Sequence, residues 1–199
     1  RATKQTLGDR KMGAKHLSER KNWQQDARQT GDLGENRAVE AFAAHLPSHY
    51  AVTLKPPKIP IYSNGKGIVL DAEIYNTQTG KRLLVESKRG DNGGNATEER
   101  AYKFAVPGLK RAVHAQVPDL CDEPFFIIFS GKIFNGENGD RQPYYIERTN
   151  KKGETKRTKI TPEIYREKVQ TGLWGQNYAI ADHEFSNAHE IAQQIMEII

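Results

Sequence analysis

Asp71, Glu86 and Lys88 are the residues of this chain whose types and spacing could do chemistry. Two carboxylates and an ammonium group that converge after a buried strand are costly unless a cation or a phosphate is also present. Carboxylate oxygens hold Mg²⁺ together with waters and phosphate oxygens. An ammonium group beside them eases formation of hydroxide and stabilises the charge that develops on a phosphate. The triplet fits phosphodiester hydrolysis, and the alternative is a surface hairpin with a Glu and a Lys on its exposed face.

Two predicted strands must position these side chains. The first, 67–75, carries Asp71, and the second, 82–88, ends in Glu86-Ser87-Lys88. Between them lies 76–80, which is rich in residues that tolerate tight turns. Because side chains alternate along a strand, Glu86 and Lys88 point to the same face. Pairing of the two strands as a hairpin would bring Asp71 close to both at one end of the sheet.

Two motifs in this region resemble a known family. Asp71, followed after fourteen residues by Glu86-Ser87-Lys88, resembles the PD-(D/E)xK nuclease motif. The segment 94–100, GNATEER, is similar to the Gly-Asn-Ala-x-Glu-Arg recognition motif of the EcoRI/MunI-like type II restriction endonucleases. The chain departs from the family in having Leu70 where the family has Pro, and in one extra residue before Arg100.

The resemblance implies a homodimer that uses Mg²⁺ to cleave both strands of double-stranded DNA at a short palindrome, leaving 5′-phosphate ends. Asp71, Glu86 and Lys88 would be catalytic. Asp71, Glu86 and the Ser87 carbonyl would hold the metal. Glu35 is a further candidate metal ligand, and its alternative role is a helix cap or a solvent-facing acid. The same alternatives apply to Glu40.

DNA recognition is the second implication of the resemblance. Asn95, Ala96 and Arg100 would contact bases, since Asn and Arg recognise adenine and guanine edges in the major groove by paired hydrogen bonds. An AATT-centred site follows from the resemblance, although the extra residue leaves the base assignment open. Positive charges that could contact phosphates lie nearby, at Arg89, Lys103, Lys110 and Arg111. Residues 150–159 are also basic, which predicts either a further DNA-embracing loop or an exposed hairpin tip.

Charge and composition agree with a nucleic-acid partner. The chain has 199 residues and a net charge of +5, and residues 1–30 hold eight Lys or Arg against three acidic residues. We therefore predict a basic N-terminal arm, 1–30, on a balanced nuclease domain, 31–199; a solvated tail is the alternative. The single cysteine suits the reducing cytoplasm, here of a prokaryotic cell by resemblance. No signal peptide and no membrane segment are expected.

The predicted fold class is α/β, with a mixed central sheet of about five strands flanked by helices, as in restriction endonucleases. The apolar run Pro124–Phe129 is typical of a central strand. A further strand is expected at 50–55, and helices are expected at 32–46, 97–116, 162–170 and 186–199, the second with a break before Pro107. Two other functions stay open: a DNA-binding protein that does not cleave, and a nicking or repair nuclease of the same fold.

Overall fold

Five strands pair side by side in one central sheet, in the order β1 (Tyr50–Leu54), β4 (Ala72–Asn76), β5 (Lys81–Arg89), β6 (Leu120–Ser130) and β9 (Asn177–Ile180). The structure is a computed structural model that describes residues 36–91, 101–173 and 175–199. Strand β4 is antiparallel to both of its neighbours, β1 and β5, whereas β5, β6 and β9 run parallel. The sheet is therefore mixed, and the predicted fold class is confirmed.

Two small antiparallel pairs and several helices complete the described part of the chain. One pair joins β2 to β3 and the other joins β7 to β8. The helices cover both faces of the central sheet. The strands of the two pairs are β2 Ile59–Pro60, β3 Gly67–Ile68, β7 Tyr144–Thr149 and β8 Thr155–Ile160. The helices are α1 36–43, α2 Pro107–Gln116, α3 Lys132–Asn135, α4 Pro162–Gly172 and α5 Ala188–Ile198, with 3₁₀ turns at Tyr102–Ala105, Glu137–Gly139 and His183–Phe185.

Each face of the sheet has its own apolar core because side chains alternate along the strands. Leu83 and Val85 of β5 face a cluster formed with helices α1 and α5. Leu84, between them, faces the opposite cluster, which contains Phe104 and residues of α2, α3 and α4. Strand β6 alternates in the same way and is buried on both sides, as the apolar run predicted. The result is a helix-sheet-helix sandwich.

The predicted strand at 67–75 is wrong as a single element. Gly67 and Ile68 form β3, which pairs with β2 in a separate sheet, and β4 begins only at Ala72. The physical reason is a close backbone approach: a Cβ at Gly67 would lie 2.0 Å from the Ile59 carbonyl oxygen. The chain therefore changes sheets between residues 68 and 72, and Asp71 lies on the connection.

The remaining predicted elements correspond well to the structure. Strand β1 and helix α5 lie inside their predicted ranges, and α4 continues two residues beyond its predicted end. The segment 97–116 was expected to break before Pro107, and the extended backbone of Val106 separates the 3₁₀ turn from α2 there. Within the described ranges, no helix is both long and apolar enough to cross a membrane. The proposed boundary between 1–30 and 31–199 falls outside those ranges and stays a prediction.

Candidate active site

The candidate site lies where β5 approaches its carboxyl end. The register pairs Ala72 of β4 with Val85 of β5, which places Asp71 beside Glu86 across the two strands. Two contacts fix this corner: the Asp71 N–H donates to the Val85 carbonyl at 3.1 Å, and the Ser87 N–H donates to Asp71 Oδ2 at 2.7 Å. A charge-assisted hydrogen bond from the backbone of β5 therefore holds the Asp71 carboxylate in place.

Glu86 and Lys88 share one face of β5, as predicted from their spacing. Lys88 Nζ forms an ion pair with Glu86 Oε1, and it also donates to the Ser87 carbonyl oxygen at 3.2 Å. Both side chains follow Leu84 on the face that carries the Phe104 cluster. Asp71, Glu86, the Ser87 carbonyl and Lys88 thus converge at one place, which is the arrangement that the sequence predicted.

Glu86 is unusually buried for a carboxylate, with 6% of the residue exposed. Its Oε2 atom has no hydrogen-bond partner among the residues that the structure describes. Burial raises the pKa of Glu86, and the nearby charge of Asp71 raises it further, while Lys88 and Lys103 act in the opposite direction. A buried carboxylate with one unsatisfied oxygen is costly to the fold. Because this cost is not repaid within the described structure, it points to a functional role for Glu86.

Lys103 is a contributor whose connection to Glu86 the sequence did not reveal. It was expected on a helix face, and it lies instead in the 3₁₀ turn, with Nζ 4.7 Å from the centre of the Phe104 ring. Phe104 is fully buried and packs against Phe125 with ring centres 4.9 Å apart. This packing anchors the turn, so that the charge of Lys103 acts on Glu86. Only the tertiary packing brings residues 86 and 103 into range.

The other predicted phosphate-contacting residues are placed as follows. Arg89 follows the site on β5 and is ion-paired with Asp91 at 2.7 Å. Lys110 of α2 is ion-paired with Glu123 of β6 at 2.6 Å, whereas Arg111 is exposed. Glu35, Asn95, Ala96 and Arg100 lie outside the described residues, so their predicted roles stay predictions. In the described part of the chain, no cluster of three or more His, Cys, Asp or Glu forms a metal site.

Comparison with known proteins bears on this site. No family model matches the chain. The Type II restriction enzyme MunI of Mycoplasma sp is 28% identical over an alignment of 188 positions, which covers 72% of this chain and 93% of that protein. This likeness confirms the predicted resemblance to the EcoRI/MunI-like type II restriction endonucleases.

Two further likenesses were found. The solved structure of MunI restriction endonuclease in complex with cognate DNA has a TM-score of 0.45 and 22% identity, covering 75% of this chain and 80% of that one. Leucine aminopeptidase 2, chloroplastic, of Arabidopsis thaliana is 28% identical over 108 positions, covering 52% of this chain and 17% of that protein. The second covers too small a part of the peptidase to bear on function.

Proposed function

We propose that this chain is a type II restriction endonuclease that acts as a homodimer, uses Mg²⁺, and hydrolyses both strands of DNA at a short palindromic site. The observation that carries the proposal is the convergence of Asp71, Glu86 and Lys88 at the end of β5. A protein that only binds DNA gains nothing from burying Glu86 with an unsatisfied oxygen. The likeness to MunI supports the same activity.

The donor set fits a hard divalent cation. Asp71 and Glu86 supply carboxylate oxygens, and the Ser87 carbonyl lies within hydrogen-bonding distance of the ammonium group that also contacts Glu86. Mg²⁺ prefers such oxygen ligands and keeps several waters. The unsatisfied Oε2 of Glu86 is the atom that most needs a cation. When bound, Mg²⁺ would polarise the phosphate and lower the pKa of a coordinated water.

Lys88 is suited to position the attacking water and to stabilise negative charge. Its ammonium group contacts both Glu86 and the Ser87 carbonyl oxygen, and these two contacts orient it. With 16% of its side chain exposed, it is shielded from bulk water, which strengthens its attraction for a phosphate oxygen. Its role is therefore electrostatic and orienting, and the side chain of Asp71 remains anchored by the Ser87 N–H.

A homodimer follows from the kind of target. A chain of 199 residues that recognises a palindrome must present the same surface twice, so that the two-fold axes of protein and DNA coincide. We assign base contacts to Asn95, Ala96 and Arg100, and metal binding in addition to Glu35, on the resemblance of the motifs alone.

The test is digestion of a large plasmid with Mg²⁺ and, separately, with EDTA. Discrete fragments with Mg²⁺ alone are expected, and their mapped ends give the site and the stagger. Glu86→Gln should abolish cleavage while DNA binding persists, because Gln keeps the shape but cannot hold the cation. Glu73→Gln, which removes a carboxylate from the neighbouring strand β4, is the matched control and should cut normally. A smear would indicate a repair-type nuclease, and intact DNA that shifts on a gel would indicate a binding protein.

A further inference from the structure

Asp71 stands at an irregular point of the backbone. In a regular strand, residues 70 and 72 would share one face of the sheet, because side chains alternate. Leu70 is instead buried in the cluster that contains Phe104, whereas Ala72 is buried in the opposite cluster, with helices α1 and α5. The chain therefore turns over at Asp71. The alternation of β4 alone does not determine where the carboxylate of this residue points.

Three hydrogen bonds fix Asp71 at this point. Two come from β5: its N–H donates to the Val85 carbonyl, and its carboxylate accepts from the Ser87 N–H. The third comes from the other side, where the Lys55 N–H donates to the Asp71 carbonyl oxygen at 2.8 Å. Lys55 directly follows β1 and lies opposite Asp71 across the two strands. Both backbone groups of Asp71 are therefore held by neighbouring strands.

The backbone of Lys55 is strained. Its φ angle is 47°, in a region that residues other than glycine rarely adopt. Pro56 follows and is buried, and a residue that precedes proline is pushed toward extended conformations. The Lys55 side chain is exposed, so burial of that side chain does not account for the strain. Strained residues persist where the surrounding structure holds them, and they cluster at active sites.

The strain lies where the chain leaves the central sheet. Residues 56–70 form an excursion that contains the β2–β3 pair, and it begins after Lys55 and ends at Asp71. Pro56 has no N–H, so the bond from Lys55 is the last that β1 can donate in this direction. The positive φ lets the chain turn into the excursion while the Lys55 N–H still points at Asp71. An extended backbone at residue 55 would redirect that N–H.

We propose that Lys55 is a positioning residue of the active site, whose strained backbone holds Asp71 where its carboxylate can reach a divalent cation. The proposal rests on the proposed function. It assigns the role to the main-chain N–H of Lys55 and not to its ammonium group. A residue that adopts positive φ freely should therefore serve as well as lysine, and a residue that resists positive φ should not.

The experiment compares Lys55→Gly with Lys55→Val in the full chain. Both substitutions remove the ammonium group, but glycine adopts positive φ without strain, whereas a β-branched residue strongly resists it. Asn138→Val is the matched control, because it creates the same conflict at another exposed residue, with φ of 60°, in the 3₁₀ turn after α3. Thermal melting establishes whether each variant is folded.

The main measurement is amide hydrogen exchange by NMR in EDTA without DNA. The Ser87 N–H reports directly on the Asp71 carboxylate, which is its acceptor. Its exchange rate is divided by that of Ile128, a fully buried residue of β6 whose exchange reports global unfolding. The Mg²⁺ concentration that gives half-maximal plasmid cleavage and the affinity for DNA in EDTA are measured on the same four proteins.

Lys55→Val should speed the relative exchange of Ser87 by about tenfold, since a non-glycine residue in this conformation is disfavoured by about that factor or more. It should also raise the Mg²⁺ requirement while DNA affinity in EDTA stays the same. Lys55→Gly and Asn138→Val should keep the relative exchange of Ser87 and the Mg²⁺ requirement of the unaltered chain.

Two results would overturn the positioning role: the same Ser87 exchange in all four proteins, or equal losses in Lys55→Gly and Lys55→Val, which would assign the effect to the ammonium group. If Lys55→Val does not fold, Lys55→Gly still decides, because faster Ser87 exchange in that variant contradicts the proposal. Absence of cleavage by the unaltered chain would refute the proposed function. Ser87 exchange, measured without metal or DNA, would then still show whether Lys55 fixes Asp71.

Discussion

Replacing Glu86 by Gln should stabilise the metal-free protein while it abolishes cleavage. A buried polar atom without a partner costs about 1–3 kcal/mol, and more when it is charged. Glu86 Oε2 is such an atom within the described structure, and the ion pair of Oε1 with Lys88 offsets part of that cost. Burial raises the pKa of Glu86 even though Lys88 lowers it, so the cost of burying the charge exceeds the gain from the ion pair. We expect Glu86→Gln to add about 1 kcal/mol, which for a chain of this size raises Tm by about 2–4 °C.

The pH dependence of this gain has a defined sign. Glu86 has a folded pKa above its unfolded value, so the folded state retains the proton more strongly. The stability of the unaltered protein therefore falls as the pH rises above the unfolded pKa of about 4.3 and through the folded pKa. Gln stays neutral throughout. The difference in Tm should be smallest below the unfolded pKa and should reach its full value only above the raised folded pKa of Glu86.

The assay is thermal melting in EDTA of the unaltered chain, Glu86→Gln and Glu73→Gln. Glu73 forms a partly exposed ion pair with Arg82, so its loss should lower stability by about 0.2–1 kcal/mol. Added Mg²⁺ should raise the Tm of the unaltered chain and leave that of Glu86→Gln unchanged, because a ligand stabilises only the state that binds it. If Glu86→Gln melts at or below the temperature of Glu73→Gln at neutral pH, the ion pair outweighs burial and the reasoning is wrong.

Four further substitutions test the fold and the site. Gly67→Ala should lower the Tm by several degrees because the added Cβ would lie 2.0 Å from the backbone oxygen of Ile59. Gly108→Ala should raise stability by about 0.5–1 kcal/mol because the added Cβ meets only open space in helix α2. Urea denaturation of both variants measures this contrast, and equal effects would contradict it. Phe126→Ala, in the centre of β6, should cost about 3–5 kcal/mol in the same assay, and a cost below about 1 kcal/mol would mean that the core there is loosely packed. Lys88→Gln should slow plasmid cleavage by about 10²-fold or more without weakening DNA binding; an unchanged rate would remove Lys88 from the mechanism.

The central hairpin was predictable because local rules determine it. The turn at 76–80 forms as expected, with Asn76 Oδ1 accepting hydrogen bonds from the backbone of Gln78 and Thr79. Alternation along β5 then determines which side chains share a face with Glu86. Neither step requires knowledge of distant residues, and the positions of Glu86 and Lys88 on β5 follow from them.

The errors and omissions concern contacts between residues far apart in sequence. The strand at 67–75 was wrong because β3 pairs with β2, which no periodicity within 67–75 reveals. Lys103 acts on Glu86 because Phe104 packs on Phe125 of β6. The basic segment 150–159 proved to be a hairpin, one of its two predicted forms, once β7 and β8 were seen to pair. Pairing partners and packing partners are tertiary properties, so composition alone leaves them open.

The location of the site explains why the fold tolerates a buried carboxylate. Strand β5 is the only strand of the central sheet, within the described chain, that is antiparallel to one neighbour and parallel to the other. Leu83, Leu84 and Val85 are buried in the cores on the two faces of the sheet, so the part of β5 that precedes Glu86 is firmly packed. Glu86 therefore stands on a rigid element, and Asp71 is brought to it by the connection between sheets. A precise arrangement of charge requires such rigidity, because a displacement of about 1 Å can cost about 10²-fold in rate.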